Sequence, residues 1–165
     1  MNTTYLLIGG NLGDRLINLQ KAVELISRQI GKIEQISSVY ETAPWGLTEQ
    51  PDYLNQAVRV NSYLAPNELL KAILAIEMNM GRVRRKAWEP RLIDIDILFY
   101  NHDILREDYL QIPHPHMEER RFALVPMAEI DSDFVHPLLN RTIGELLESC
   151  PDPLPVKKFS LVPSD

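Results

Sequence analysis

Apolar and polar positions alternate most regularly over residues 93–100, where Ile93, Ile95, Ile97 and Phe99 interleave with Asp94, Asp96, Leu98 and Tyr100. A two-residue period in a β-branched run predicts a strand whose odd-numbered face is pressed into a core. Tyr5-Leu6-Leu7-Ile8 predicts an earlier, buried strand, and Ile33 to Tyr40 a second one with imperfect alternation. Tyr53 to Val60 predicts a third, with Leu54, Gln56, Val58 and Val60 on one face and Tyr53, Asn55, Ala57 and Arg59 on the other. Between these runs the spacing turns helical. Leu16, Leu19, Val23, Ile26 and Ile30 form one stripe behind Asp14, which suits an N-cap, and Gly31 ends it. Pro66 opens a second helix at its first-turn position, with Leu69, Ile73, Ile76 and Met80 as the buried stripe. Phe122 to Ile130 and Asn140 to Cys150 predict two more helices, and from Pro151 four prolines predict an extended, poorly ordered tail.

The order β-α-β-β-α-β predicts an α+β chain of the ferredoxin-like kind. Its features are an antiparallel four-stranded sheet, helices on one face, and extra C-terminal helices. Residues 1–150 read as a single domain and 151–165 as a proline-rich C-terminal tail. Apolar content of 45% and charged content of 24% over 165 residues are those of a soluble globular protein. No run approaches the roughly 18 apolar residues of a membrane span, so no membrane partner is expected. Met1-Asn2-Thr3-Thr4 lacks the basic and apolar regions of a signal peptide. The single Cys150 excludes an internal disulfide and a cysteine-based zinc site, and the expected compartment is the reducing cytoplasm. A net charge of −6 argues against a nucleic-acid partner.

That acidic background makes two local features informative. Asp94 and Asp96 share one strand face, their Cα atoms about 6.6–6.8 Å apart by strand rise. Adjacent carboxylates on an apolar strand call for a cation, and Mg²⁺ suits a site made of carboxylates plus substrate phosphates. Two ions are within the compass of such a pair. Taken alone, two solvated Asp residues on an edge strand account for the pattern equally well. The segment just before it tips the balance, because Arg82, Arg84, Arg85, Lys86 and Arg91 bring five basic groups beside the carboxylates. Metal to bridge phosphate oxygens and Arg to stabilise developing charge are the parts of phosphoryl transfer. The same composition predicts that 82–91 is a lid ordered by bound anions.

Other candidates surround these two. The loop 41–52 carries Trp45, whose ring needs either the core or a flat ligand as its partner. Tyr53 and Asn55 set an aromatic plane beside an amide, which suits a heterocycle but equally a plain surface. Glu77 borders its helix stripe and either anchors an Arg, receives a ligand hydroxyl, or simply faces solvent. His114 and His116 stand between prolines without a third ligand for zinc. Gly9 and Gly10 match neither a phosphate loop nor a dinucleotide fingerprint, and read as a turn that lets backbone approach a ligand or another strand.

Three motifs occur in order: Ile8-Gly9-Gly10-Asn11-Leu12-Gly13-Asp14, Pro51-Asp52-Tyr53-Leu54-Asn55, and Arg82 through Trp88-Glu89-Pro90-Arg91-Leu92-Ile93-Asp94-Ile95-Asp96. Together they resemble the 6-hydroxymethyl-7,8-dihydropterin pyrophosphokinases of folate biosynthesis, from the first strand to about Phe122, with a weaker echo at His136-Pro137. The resemblance implies transfer of the β,γ-pyrophosphoryl unit of ATP to the pterin hydroxymethyl group, giving AMP. It implies ATP as co-substrate, two Mg²⁺ ions on Asp94 and Asp96, and a monomer. Catalytic roles would fall to Arg82, Arg91, Asp94 and Asp96. Thr42, Tyr53, Asn55 and Phe122 would form the pterin pocket, joined by Trp45 and closed by Trp88. Glu77, Arg82, Arg84, Arg91, Ile97, His114 and Arg120 would hold ATP. The chain departs from the family pattern at Leu74, Pro115, Ala43 and Glu89, and by one residue fewer between Arg84 and Trp88. Two rivals belong to other classes: a single-stranded RNA-binding module on the same fold, and another two-metal nucleotide-dependent transferase, which would release pyrophosphate.

Overall fold

The computed structural model describes residues 1–44, 49–81 and 92–160. Its centre is an antiparallel sheet in the order β5-β1-β4-β3-β8, formed by Asp94–Tyr100 (β5), Asn2–Gly10 (β1), Tyr53–Ser62 (β4), Tyr40–Thr42 (β3) and Val156–Lys158 (β8). Lys32–Ile36 (β2) also pairs with β4, below β3. A small hairpin of Leu105–Glu107 (β6) and Leu110–Ile112 (β7) follows β5. Counting β2 and β3 as one broken strand, the first four lie in the order fourth, first, third, second, the arrangement of the ferredoxin-like fold.

Helices Arg15–Gln29 (α1) and Pro66–Asn79 (α2) cover one face of the sheet. Asp14 caps α1 by accepting the Ile17 N–H at 3.2 Å, and Leu19, Ala22 and Ile26 are its buried stripe. In α2, Leu69, Ile73 and Ile76 are buried as the spacing predicts. They meet Leu6, Ile8, Leu54, Val58, Ile95 and Ile97 from the strands, and Ile93 just before β5. Proximity requires the glycine at Gly31: a Cβ there would stand 2.0 Å from the Asn61 carbonyl oxygen.

The extra C-terminal helices, Arg121–Asp131 (α3) and Ile143–Glu148 (α4), cover the opposite face. Leu124, Met127, Ile143 and Leu146 pack there against Tyr5, Leu7, Ala57, Leu98 and Phe99. The sheet is therefore buried on both sides.

Three sequence expectations are corrected. Ile33 to Tyr40 is not one strand: at Ser37 the chain leaves the ladder, with Ser37 Oγ accepting the Ala57 N–H at 2.9 Å. Phe99 does not share a face with Ile93, Ile95 and Ile97. The β1–β5 register passes from Leu6 opposite Ile97 to Tyr5 opposite Phe99, and the bulged Leu98 turns Phe99 onto the α3 side and Tyr100 onto the α1 side. The proline-rich segment is extended, but Val156–Lys158 is ordered as the strand beside β3. Among the described residues no helix is long and apolar enough to cross a membrane.

Candidate functional site

Register places the candidate side chains before any contact is considered. Gly9 on β1 lies opposite Asn55 on β4 and opposite Asp94 on β5, so the three form one row across the sheet. Leu7, paired with Asp96, sits one pleat further along the same face. This is the face covered by α3, and the row lies where the covering runs out. Gly9 is the gap in it: a Cβ at this position would stand 2.3 Å from Asn55 Oδ1 and 3.3 Å from the Leu54 carbonyl oxygen. The glycine lets the Asn55 side chain lie across the strand. The turn expected at Gly9 and Gly10 is corrected: both belong to β1, and Gly9 makes room for a side chain of the neighbouring strand β4.

A cavity of about 320 Å³ opens above the row. Thr42, Tyr53, Asn55, Asp94, Asp96, His114, Arg120 and Phe122 are among the residues that line it. These eight come from β3, β4, β5, the loop after β7 and the start of α3. Asn55 is buried and its Nδ2 donates to Thr42 Oγ1 at 3.3 Å. Arg120 lies over the Phe122 ring, 5.9 Å from its centroid. Burial, followed by the positive charge of Arg120, holds the His114 imidazole below its ordinary pKa. A neutral ring 4.0 Å from Asp96 Oδ1 is a contact rather than an ion pair.

Two candidates stand behind the cavity wall instead. Glu77 is only 2% exposed, on the α2 side of β5, and its Oε2 accepts the Ile95 N–H at 2.8 Å. The Ile97 side chain belongs to the core between sheet and α1–α2, which leaves its main chain for any ligand. Trp45, Arg82, Arg84, Trp88 and Arg91, with the lid expected at 82–91, lie outside the described residues.

Other residues serve the site without having been singled out for it. Leu7, Ala43, Pro115 and His116 complete the lining. Asn11, 1% exposed, donates from Nδ2 to Gln50 Oε1 and to the Pro51 carbonyl, both at 2.9 Å, and so fixes the approach to Tyr53. Its place directly after the Gly9-Gly10 end of β1 was the available signal. Among the described residues no group of three or more His, Cys, Asp or Glu gathers to hold a metal.

Comparison with known proteins bears on this geometry. Residues 5–132 match the family model described as 7,8-dihydro-6-hydroxymethylpterin-pyrophosphokinase. The chain is 40% identical over 145 residues to a 2-amino-4-hydroxy-6-hydroxymethyldihydropteridine pyrophosphokinase of Aquifex aeolicus, covering 88% of this chain and 90% of that one. It is 44% identical over 142 residues to the protein of the same name from Synechocystis, covering 86% and 72%. Among solved structures, a bifunctional Plasmodium falciparum protein that includes a pyrophosphokinase part superposes with a TM-score of 0.73 at 19% identity. That match covers 90% of this chain and 43% of the larger one, and it speaks for the fold alone.

Proposed function

This chain belongs to the 7,8-dihydro-6-hydroxymethylpterin-pyrophosphokinase family, and we propose that its active site is the cavity above the Asn55–Gly9–Asp94 row. The activity is transfer of the pyrophosphoryl group of ATP to hydroxymethyldihydropterin in folate synthesis. One observation carries the assignment of the site. Residues from five separate segments, Thr42 through Phe122, line a single cavity that gathers ring, amide, carboxylate and basic groups.

In this reading Tyr53 and Phe122 sandwich the flat pterin, and Asn55, steadied by Thr42, reads its donor-acceptor edge. Arg120 and neutral His114 face the nucleotide phosphates. Asp94 and Asp96 would hold two Mg²⁺. The donor set fits: both are oxygen ligands, half-buried, on one face of one strand, and a hard cation held by one or two carboxylates completes its shell with phosphate and water. When bound, such ions would supply positive charge against the charge that develops on the transferred group. The residues themselves hold the pterin hydroxyl in reach of the β-phosphorus and keep its plane fixed during attack. Trp45, Trp88, Arg82, Arg84 and Arg91 are proposed to join them, with residues 1–150 as one catalytic domain that works as a cytoplasmic monomer.

The test is the nucleotide product. With Mg-ATP and the hydroxymethyl pterin, AMP should accumulate in step with the pterin diphosphate. ADP would mean an ordinary kinase, and free pyrophosphate a nucleotidyl transferase.

A further inference from the structure

Two residues of the cavity lining, Thr42 and Phe122, are far apart in sequence. Thr42 ends β3, and Phe122 lies in the first turn of α3. Both are gripped by one stretch of chain that lies beyond residues 5–132, the part matched by the family model. Asp152 is 6% exposed, and its two carboxylate oxygens are used in different directions. Oδ2 accepts the N–H of Arg121 at 3.0 Å, and Oδ1 the N–H of Leu154 at 3.0 Å. Arg121 begins α3 and precedes Phe122, so this carboxylate satisfies one of the unpaired donors at the positive end of the helix. Carboxylates are rarely so buried unless their oxygens are used.

The same stretch then crosses to the other wall. Val156 lies opposite Thr42, Lys157 opposite Glu41 and Lys158 opposite Tyr40 in an antiparallel ladder. Beyond it the Phe159 N–H donates to the Val39 carbonyl at 2.8 Å. The Phe159 ring lies under the Arg15 guanidinium at 5.6 Å, and Arg15 bonds Glu41 Oε2 at 2.6 Å and the Asp52 carbonyl at 2.9 Å, next to Tyr53. A strand as short as β3, three residues, gains its second neighbour from this ladder.

We propose that residues 152–159 form a clasp whose positioning residue, Asp152, sets the separation of the Phe122 and Thr42 walls and thereby the affinity for the flat substrate. The proposal rests on the assignment of the cavity as the pterin site. Asp152 touches no reacting atom; it acts through Arg121 on Phe122 and through the following strand on Thr42. Asp94 and Asp96 are carried by β5, and His114 is tied to β5 by its N–H on the Leu98 carbonyl at 3.0 Å, so of the nucleotide side only Arg120, which precedes Arg121, leans on the clasp. A split between the two substrates follows.

The experiment uses the full chain with Asp152→Ala, Asp152→Asn, Asn55→Ala and Glu145→Ala. Pterin and nucleotide affinities are measured by calorimetry with Mg²⁺ and a non-hydrolysable ATP analogue, alongside KM for each substrate and the melting temperature. Asp152→Ala should weaken pterin binding by about fivefold or more, the scale of a lost helix cap, with nucleotide binding weakened clearly less, through Arg120 alone. Asp152→Asn, which keeps the acceptors in part, should fall between and serves as the deciding variant where the alanine protein does not fold. Glu145→Ala removes the capping box of α4 and should lower the melting temperature without moving either affinity. Unchanged pterin affinity in the Asp152 variants, or equal weakening for both substrates, would overturn the clasp. If Asn55→Ala leaves pterin affinity unchanged, it is the cavity assignment that fails; if Asn55→Ala loses pterin while the Asp152 variants keep it, only the clasp does.

Discussion

Glu77 Oε2 accepts the backbone N–H of Ile95 at 2.8 Å, at the residue that separates Asp94 from Asp96. The bond comes from α2, across the helix-covered face, while the two carboxylates point the opposite way toward the cavity. It pins the start of β5 at the point where the ladder to β1 ends, Asp94 opposite Gly9. Glu77→Ala should leave that N–H buried and unpaired, at a cost of about 1–3 kcal/mol in stability. Activity should drop further than stability does, because the spacing of the carboxylates loosens. Glu77→Gln retains an acceptor and should recover most of both. Melting curves and kcat at saturating Mg-ATP measure the two effects, and an alanine variant with full kcat would show that β5 needs no such anchor.

Asp94→Asn and Asp96→Asn test the metal assignment itself. Each keeps shape and removes a charge, so turnover should fall by orders of magnitude as several kcal/mol of charge stabilisation is lost. The metal-free fold should be as stable as before, or slightly more so, with one of two like charges gone. A large drop in the metal-free melting temperature would make the pair structural.

What was legible from the chain alone follows the length of each pattern. Periodicity over seven or more residues located β4, β5, α1 and α2, because burial on one face constrains every second or every third to fourth position, whereas β1 was legible only as a short apolar run. The side chains of the cavity were legible as residue types, since Asp94, Asp96, Tyr53 and Asn55 break otherwise apolar strands. The break at Ser37 and the bulge at Leu98 each shift one residue, and a one-residue shift leaves no periodic trace. β8 spans three residues, two of them lysines, after a proline-rich run, too short for a period, and exists through β3 rather than through its own propensity. Glu77 shows the same limit, since its acceptor role depends on an N–H contributed by another element.

Gly9→Ala isolates the floor of the cavity. The added methyl would stand 2.3 Å from Asn55 Oδ1, and Asn55 must swing aside or the strands must part. Overpacking of this kind costs about 1–3 kcal/mol. Movement of Asn55 should raise the KM for the pterin while the KM for ATP changes little. An unchanged pterin KM would mean that Asn55 does not meet the substrate.

The grip of the sheet on α3 predicts loss of stability in alkali. Tyr5 O–H donates to Asp131 Oδ2, and Tyr40 O–H donates to Glu129 Oε1 at 2.5 Å, so two strands hold the helix through phenols that face carboxylates. Burial first, and then the adjacent carboxylate in each case, pushes both phenol pKa values from 10.0 up to about 12. A raised folded-state value means the protonated form is favoured by folding. The contribution is complete below the unfolded value near 10 and is lost as pH rises toward 12. Glu129 moves the other way: burial raises its pKa, but the hydrogen bonds from Tyr40 and Ser38 outweigh this and leave it below the ordinary 4.5. Its contribution is complete above that value and disappears as pH falls through the depressed one. Melting temperature should therefore fall between about pH 10 and about pH 12 in the wild type. Tyr5→Phe and Tyr40→Phe should be less stable at neutral pH by about 1 kcal/mol each, and should flatten the alkaline loss because the titrating group is gone. Phenolate absorbance followed through the same range would locate the two groups directly. If both tyrosines ionise near 10 and the alkaline slope survives in both variants, these bonds do not hold α3 to the sheet.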